Sequence, residues 1–128
     1  MYVIDKYNPI INIELENGIY EFCSESGTGK TRLCRILKEL QKLGEPVIGY
    51  TYGDDILGID LKDLVSKVNP KVILLDRYHM YNGTFSKEII EWSKNTIILI
   101  DCKSILDINY DTDLCIIEML SNRINVTH

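Results

Sequence analysis

Residues Phe22 to Leu33 read FCSESGTGKTRL, a stretch whose residue types suit the binding of a phosphate chain. Against the pattern G-x-x-x-x-G-K-[ST], Gly29, Lys30 and Thr31 match the last three positions, and Ser24 stands where the first glycine is expected. Phosphate oxygens need donors. A run of small residues, here Ser26, Gly27, Thr28 and Gly29, lets backbone N–H groups converge on them without side chains intervening. Lys30 is placed to reach β- and γ-phosphate oxygens, Thr31 to offer its hydroxyl to Mg²⁺, and the following helix to add its N-terminal dipole. The serine at the first position adds two heavy atoms at a tight bend, a strain of about 1 kcal/mol and not a block. The candidate contacts therefore run through Ser24, Glu25, Ser26, Gly27, Thr28, Gly29, Lys30, Thr31 and Arg32.

The elements that must position this loop are legible on both sides of it. In IINIELENGIYEFC, apolar and polar residues alternate around Asn17-Gly18, which predicts two strands, Ile10 to Leu15 and Ile19 to Cys23, joined as a hairpin. After the loop, Leu33, Ile36, Leu37 and Leu40 recur at helical spacing, and Gly44 and Pro46 stop the helix. Val47 to Tyr52 reads as a core strand, and Leu61, Leu64, Val65 and Val68 mark one face of a short helix. Two apolar strands end in an acid: VILLD from Val72 to Asp76, and Thr96 to Ile100 before Asp101. A helix from Ser86 to about Lys94 separates them. CIIEML and INVT, either side of Ser121-Asn122-Arg123, predict a closing hairpin.

SESGTGKT together with VILLD resembles the Walker A and Walker B motifs of P-loop NTPases, and the succession of elements resembles a minimal RecA-like ATPase core over most of the chain. The resemblance implies a three-layer α/β fold with a mainly parallel central sheet, commonly in the order 5-1-4-3-2, here with N- and C-terminal β-hairpins. It also implies Mg-ATP at the carboxyl edge, Lys30 and Thr31 in the Walker A roles, and Asp76 holding the metal through water. The opening segment looks like that of ABC-type ATPases as well, but no LSGGQ-like signature follows it.

The residue that would activate water is less plainly marked. Relatives often carry a glutamate after the Walker B aspartate, whereas this chain has Arg77, which cannot act as a base. Asp54 and Asp55, after the second core strand, are the candidates for that catalytic role beside Lys30. Asp101 is a candidate γ-phosphate sensor, and Arg77 a candidate interface or phosphate contact. The loop at 77–83, DRYHMYNG with its leading Asp76, carries aromatic residues that suit a protein partner or self-association.

Composition sets the frame for these expectations. A chain of 128 residues, 45% hydrophobic, holds one core, so residues 1–128 are expected to form a single domain. A net charge of -5 disfavours a strong grip on nucleic acid. Cys23, Cys34, Cys102 and Cys115 form no close pair and read as reduced buried thiols, not as zinc ligands. With no signal-peptide pattern and no run of about 20 apolar residues, no membrane association is expected and the location is cytoplasmic. The function expected is that of a small Mg-dependent ATPase with weak or partner-stimulated hydrolysis. The alternative is a non-hydrolysing module that binds ATP or ADP and recognises protein. A small-molecule kinase ranks third, because no arginine-rich lid is present.

Overall fold

A computed structural model describes residues 1–22, 29–81, 85–102 and 111–128. The described residues form eight strands and four α-helices. In chain order these are β1 (Tyr2–Ile4), β2 (Ile10–Glu14), β3 (Gly18–Phe22), α1 (Lys30–Lys42), β4 (Val47–Tyr50), α2 (Tyr52–Ile56) and α3 (Leu61–Val68). Then follow β5 (Val72–Leu75), a single 3₁₀ turn (Tyr78–Met80), α4 (Ser86–Trp92), β6 (Ile97–Ile100), β7 (Asp113–Met119) and β8 (Arg123–Thr127).

All eight strands join one mixed sheet in the order β1-β2-β8-β7-β3-β6-β5-β4, curled into a half-barrel. This corrects the expectation of a three-layer α/β P-loop fold with a mainly parallel sheet, whereas the expected closing hairpin does form, β7 pairing antiparallel with β8. The N-terminal hairpin does not form: β2 pairs antiparallel with β1 and parallel with β8, whereas β3 pairs with β6 and β7. Asn17-Gly18 instead carries the chain from one part of the sheet to another, and the Gly18 N–H donates to the Thr96 carbonyl oxygen at 3.2 Å. The reason is burial. Ile11 and Ile13 of β2 share one core cluster with Ile124 and Val126 of β8, so the most favourable partner for β2 lies at the far end of the chain.

Strands β7, β3, β6, β5 and β4 run parallel to one another, which brings the carboxyl ends of β3, β4, β5 and β6 to one edge. The apolar runs of β4, β5 and β6 are explained by two clusters. Val47, Val72, Leu74, Ile97 and Leu99 pack with Leu33, Cys34, Leu37 and Leu40 of α1. Ile48, Ile73, Leu75, Ile98 and Ile100 pack with Leu61 of α3 and Ile89 of α4.

Local signals fix the helix ends. Asp60 caps α3, its Oδ1 accepting the Lys62 N–H at 3.0 Å, and Asn69 in the left-handed region ends it before Pro70. The strand expected over Val47 to Tyr52 stops at Tyr50, because Thr51 to Asp54 form a capping box that starts α2. No helix among the described residues is long and apolar enough to cross a membrane.

Candidate phosphate site at the carboxyl edge

Gly29 has φ 95° and ψ 5°, a left-handed conformation that glycine adopts without steric penalty, and its carbonyl oxygen accepts the Leu33 N–H that starts α1. A Cβ at this position would lie 2.6 Å from Met119 Sδ of β7, a flexible side chain that can shift, so it is the backbone conformation that favours glycine here. Lys30 and Thr31 open the helix. Lys30 is buried, whereas Thr31 and Arg32 are exposed. Ser24, Glu25, Ser26, Gly27 and Thr28 lie outside the described residues, as does the Asn82-Gly83 turn.

Lys30 meets one of the two strand-ending acids. Its Nζ lies 2.9 Å from Asp101 Oδ1, with the two side chains only 8% and 15% exposed. Asp76 stands at the end of the neighbouring β5 and is 3% exposed, and its Oδ1 is buried with no hydrogen-bond partner. Backbone bonds hold the pair in place. The Asp76 N–H donates to Tyr50 O at 2.9 Å, the Asp101 N–H to Leu75 O at 2.9 Å, and the Tyr78 N–H to Asp101 O at 2.7 Å. Arg77 has φ 49°, a left-handed conformation uncommon outside glycine, and this bend aims its N–H at Asp101 Oδ2, 3.4 Å away.

The electrostatics follow from this crowding. Burial first, and then the adjacent Asp101 carboxylate, push the Asp76 carboxyl up to about 6, with Arg77 and Lys30 opposing the shift. A raised folded-state pKa stabilises the fold at low pH, and that contribution is lost as pH rises from about 4 through about 6. Denaturant unfolding at pH 5 and pH 7.5 checks this. Relative to Asp76→Asn, the ligand-free native chain is expected to lose about 1–2 kcal/mol over that interval. An unchanged difference between the two pH values would contradict the shifted titration of Asp76.

Asp54 has a different environment. Its Oδ2 accepts the Thr51 N–H at 2.9 Å and the Thr51 hydroxyl at 3.0 Å, and pairs with Lys38 of α1, while the Asp54 N–H donates to Thr51 Oγ1 at 3.1 Å. Three donors converge on one carboxylate oxygen, an arrangement that anchors α2 to α1. The sequence motif Thr-Tyr-Gly-Asp is itself a capping-box signature, so this role was readable beforehand. Asp55 is half-buried on α2.

The tyrosines of the 77–83 loop turn inward. Tyr78 and Tyr81 are buried and meet each other edge to face at 5.6 Å, and Tyr81 packs in the same way on Tyr50 and Phe85. The Tyr81 hydroxyl donates to the Asp76 carbonyl oxygen at 2.7 Å, so this cluster supports the acid strand from behind. What the described part of the loop exposes is Arg77 and Met80.

Sequence reading passed over Lys38, Met119, Gly49 and Glu21. Only Gly49 and Glu21 carried a local signal, a glycine and a charged residue inside apolar strands. Glu21 is buried on β3 with Oε2 unpartnered, and burial pushes its carboxyl up. Cys34 lies beneath the edge, where burial and then Asp76 push its thiol up to about 12. Cys34 and Cys115 are buried and Cys102 is half-buried. No family model, no curated protein and no solved structure matches the chain, so the reading of this edge rests on its own geometry.

Proposed function

We propose that the chain binds ATP with Mg²⁺ at the carboxyl edge, between the start of α1 and the ends of β5 and β6. The observation that carries this reading is the junction of Lys30, already clamping a carboxylate at 2.9 Å, with the buried, orphaned Oδ1 of Asp76. A lysine holding an anion at a helix N-terminus after a left-handed glycine suits a phosphate. An unpartnered buried acid oxygen beside it suits a hydrated cation.

No group of three or more His, Cys, Asp or Glu that could hold a metal occurs among the described residues. Mg²⁺ does not need one, because it is commonly held by one or two carboxylates, water and the phosphates themselves. Asp76, with the Thr31 hydroxyl, would hold it, and its charge would offset that of the phosphates. The protein groups do the rest. Lys30 binds phosphate oxygen, Gly29 leaves the helix start open, and the Tyr81 hydroxyl and the Tyr50 carbonyl fix the backbone that presents Asp76.

Hydrolysis on this reading is weak or stimulated by a protein partner. Asp54 spends one carboxylate oxygen on the cap and Lys38, which leaves Asp55 as the less encumbered acid of the pair. The same observation favours a second reading, a nucleotide-dependent protein-binding module without turnover. A cytoplasmic setting suits both, given four cysteines that form no close pair in the sequence.

Thermal unfolding and phosphate release, measured together, test the proposal. Mg-ATP at about 100 times its Kd is expected to stabilise the native chain by about 2.7 kcal/mol. Phosphate release is expected to be slow and to fall in Asp55→Asn without loss of binding. Binding with no release, at any protein concentration, selects the non-hydrolysing module, and no thermal shift with Mg-ATP rejects the nucleotide reading.

A further inference from the structure

Asp101 is fixed at the end of β6 by two backbone bonds, to Leu75 and from Tyr78, and its Oδ2 takes the Arg77 N–H. Lys30 reaches the same carboxylate from α1 on a four-carbon stem whose torsions can turn the ammonium elsewhere. A carboxylate oxygen and a phosphate oxygen are equivalent partners for an ammonium, each accepting a charge-assisted bond at about 2.7–2.9 Å. The Nζ–Oδ1 distance of 2.9 Å already lies in that range. An incoming phosphate therefore meets a lysine engaged by an internal anion, with a second acid, Asp76, beside it.

We propose that Asp101 is an internal counter-anion that occupies Lys30 in the ligand-free chain and must surrender it to a phosphate, so that it restrains nucleotide affinity instead of supporting it. This inference rests on the nucleotide reading above. The exchange is a change of ion-pair partner: Lys30 turns from Asp101 to phosphate, and Asp101 keeps the Arg77 N–H. Repulsion between the carboxylates and the phosphates would be lower with a divalent cation held near Asp76. The restraint is consequently strongest without Mg²⁺.

Calorimetric titration with inorganic pyrophosphate and with ATP, each in EDTA and in Mg²⁺, tests the idea on the native chain, Asp101→Asn and Lys30→Ala. In EDTA, Asp101→Asn is expected to bind at least tenfold more tightly than the native chain, and the gap is expected to narrow in Mg²⁺. Equal or weaker binding by Asp101→Asn, with the native chain binding and Lys30→Ala not, overturns this inference and leaves the nucleotide reading standing. Absence of binding by all three chains in both media overturns both. If Asp101→Asn does not fold, the Lys30 Nζ resonance of the native chain decides. It should move when pyrophosphate saturates the protein, and an unmoved resonance at saturation overturns the exchange.

Discussion

Lys30→Ala is expected to weaken Mg-ATP binding at least about 100-fold, equivalent to roughly 2.7 kcal/mol, and also to destabilise the ligand-free fold. Both effects come from one ammonium. On the proposed reading it is the cation that α1 presents to phosphate. In the free chain it is the counter-charge to Asp101, a pair with side chains 8% and 15% exposed. Removing one partner of a buried pair leaves the other uncompensated, at a cost of about 3–5 kcal/mol when burial is complete. Some solvent reaches Asp101, so about 2–3 kcal/mol is expected at pH 7.5.

The penalty has a definite pH dependence. Without Lys30 the two neighbouring acids repel each other more strongly, and Asp76, already raised to about 6 in the native chain, moves further up. At pH 5 it accepts a proton and relieves the repulsion. The destabilisation of Lys30→Ala should therefore shrink between pH 7.5 and pH 5 in denaturant unfolding. A penalty equal at both pH values would place its origin in lost packing of the lysine stem.

Gly49→Ala is expected to be the most disruptive single change in the framework. Gly49 lies in β4, directly under α1, and a Cβ there would stand 2.3 Å from the Cys34 carbonyl oxygen and 3.1 Å from both Cys34 Sγ and Lys38 Cγ. The first of these is backbone in the middle of a helix and cannot step aside. The whole of α1 must lift from β4, against the burial of Leu33, Leu37 and Leu40. Overpacking of this kind costs about 1–3 kcal/mol and occasionally more, and with a backbone clash about 3 kcal/mol is expected. For a chain of this size that lowers Tm by roughly 10 °C. Because α1 carries Lys30 and Lys38, the shift should also weaken Mg-ATP binding at temperatures where the variant is folded. A Tm within about 2 °C of the native value would contradict the close approach of α1 to β4.

The site was more legible in the sequence than the sheet was. Gly29-Lys30-Thr31 ahead of Leu33, Leu37 and Leu40 announced a loop entering an amphipathic helix, and VILLD and IILID announced acids at strand ends, because these signals are local and need no knowledge of neighbours. That Lys30 would meet Asp101 was not readable, since it depends on β3, β5 and β6 lying side by side. Strand alternation tells which residues of β2 are buried but not which strand covers its edge. Asn17-Gly18 therefore suggested a hairpin where the apolar faces of β2 and β8 impose a long-range pair. The inward packing of the tyrosines at 77–83 was hidden for a related reason. They have no strand pattern, yet Tyr78 and Tyr81 are buried by a cluster assembled from β4, the 3₁₀ turn and Phe85.

On the proposed reading Lys30 and Asp76 jointly form a Mg-nucleotide site. Its most direct test is a calorimetric titration of the native chain with Mg-ATP at pH 7.5, with Lys30→Ala and Asp76→Asn measured alongside. Saturable one-to-one binding is predicted for the native chain, with binding lost in Lys30→Ala and its Mg²⁺ dependence lost in Asp76→Asn. No binding by the native chain, or native affinity retained in Lys30→Ala, would contradict it.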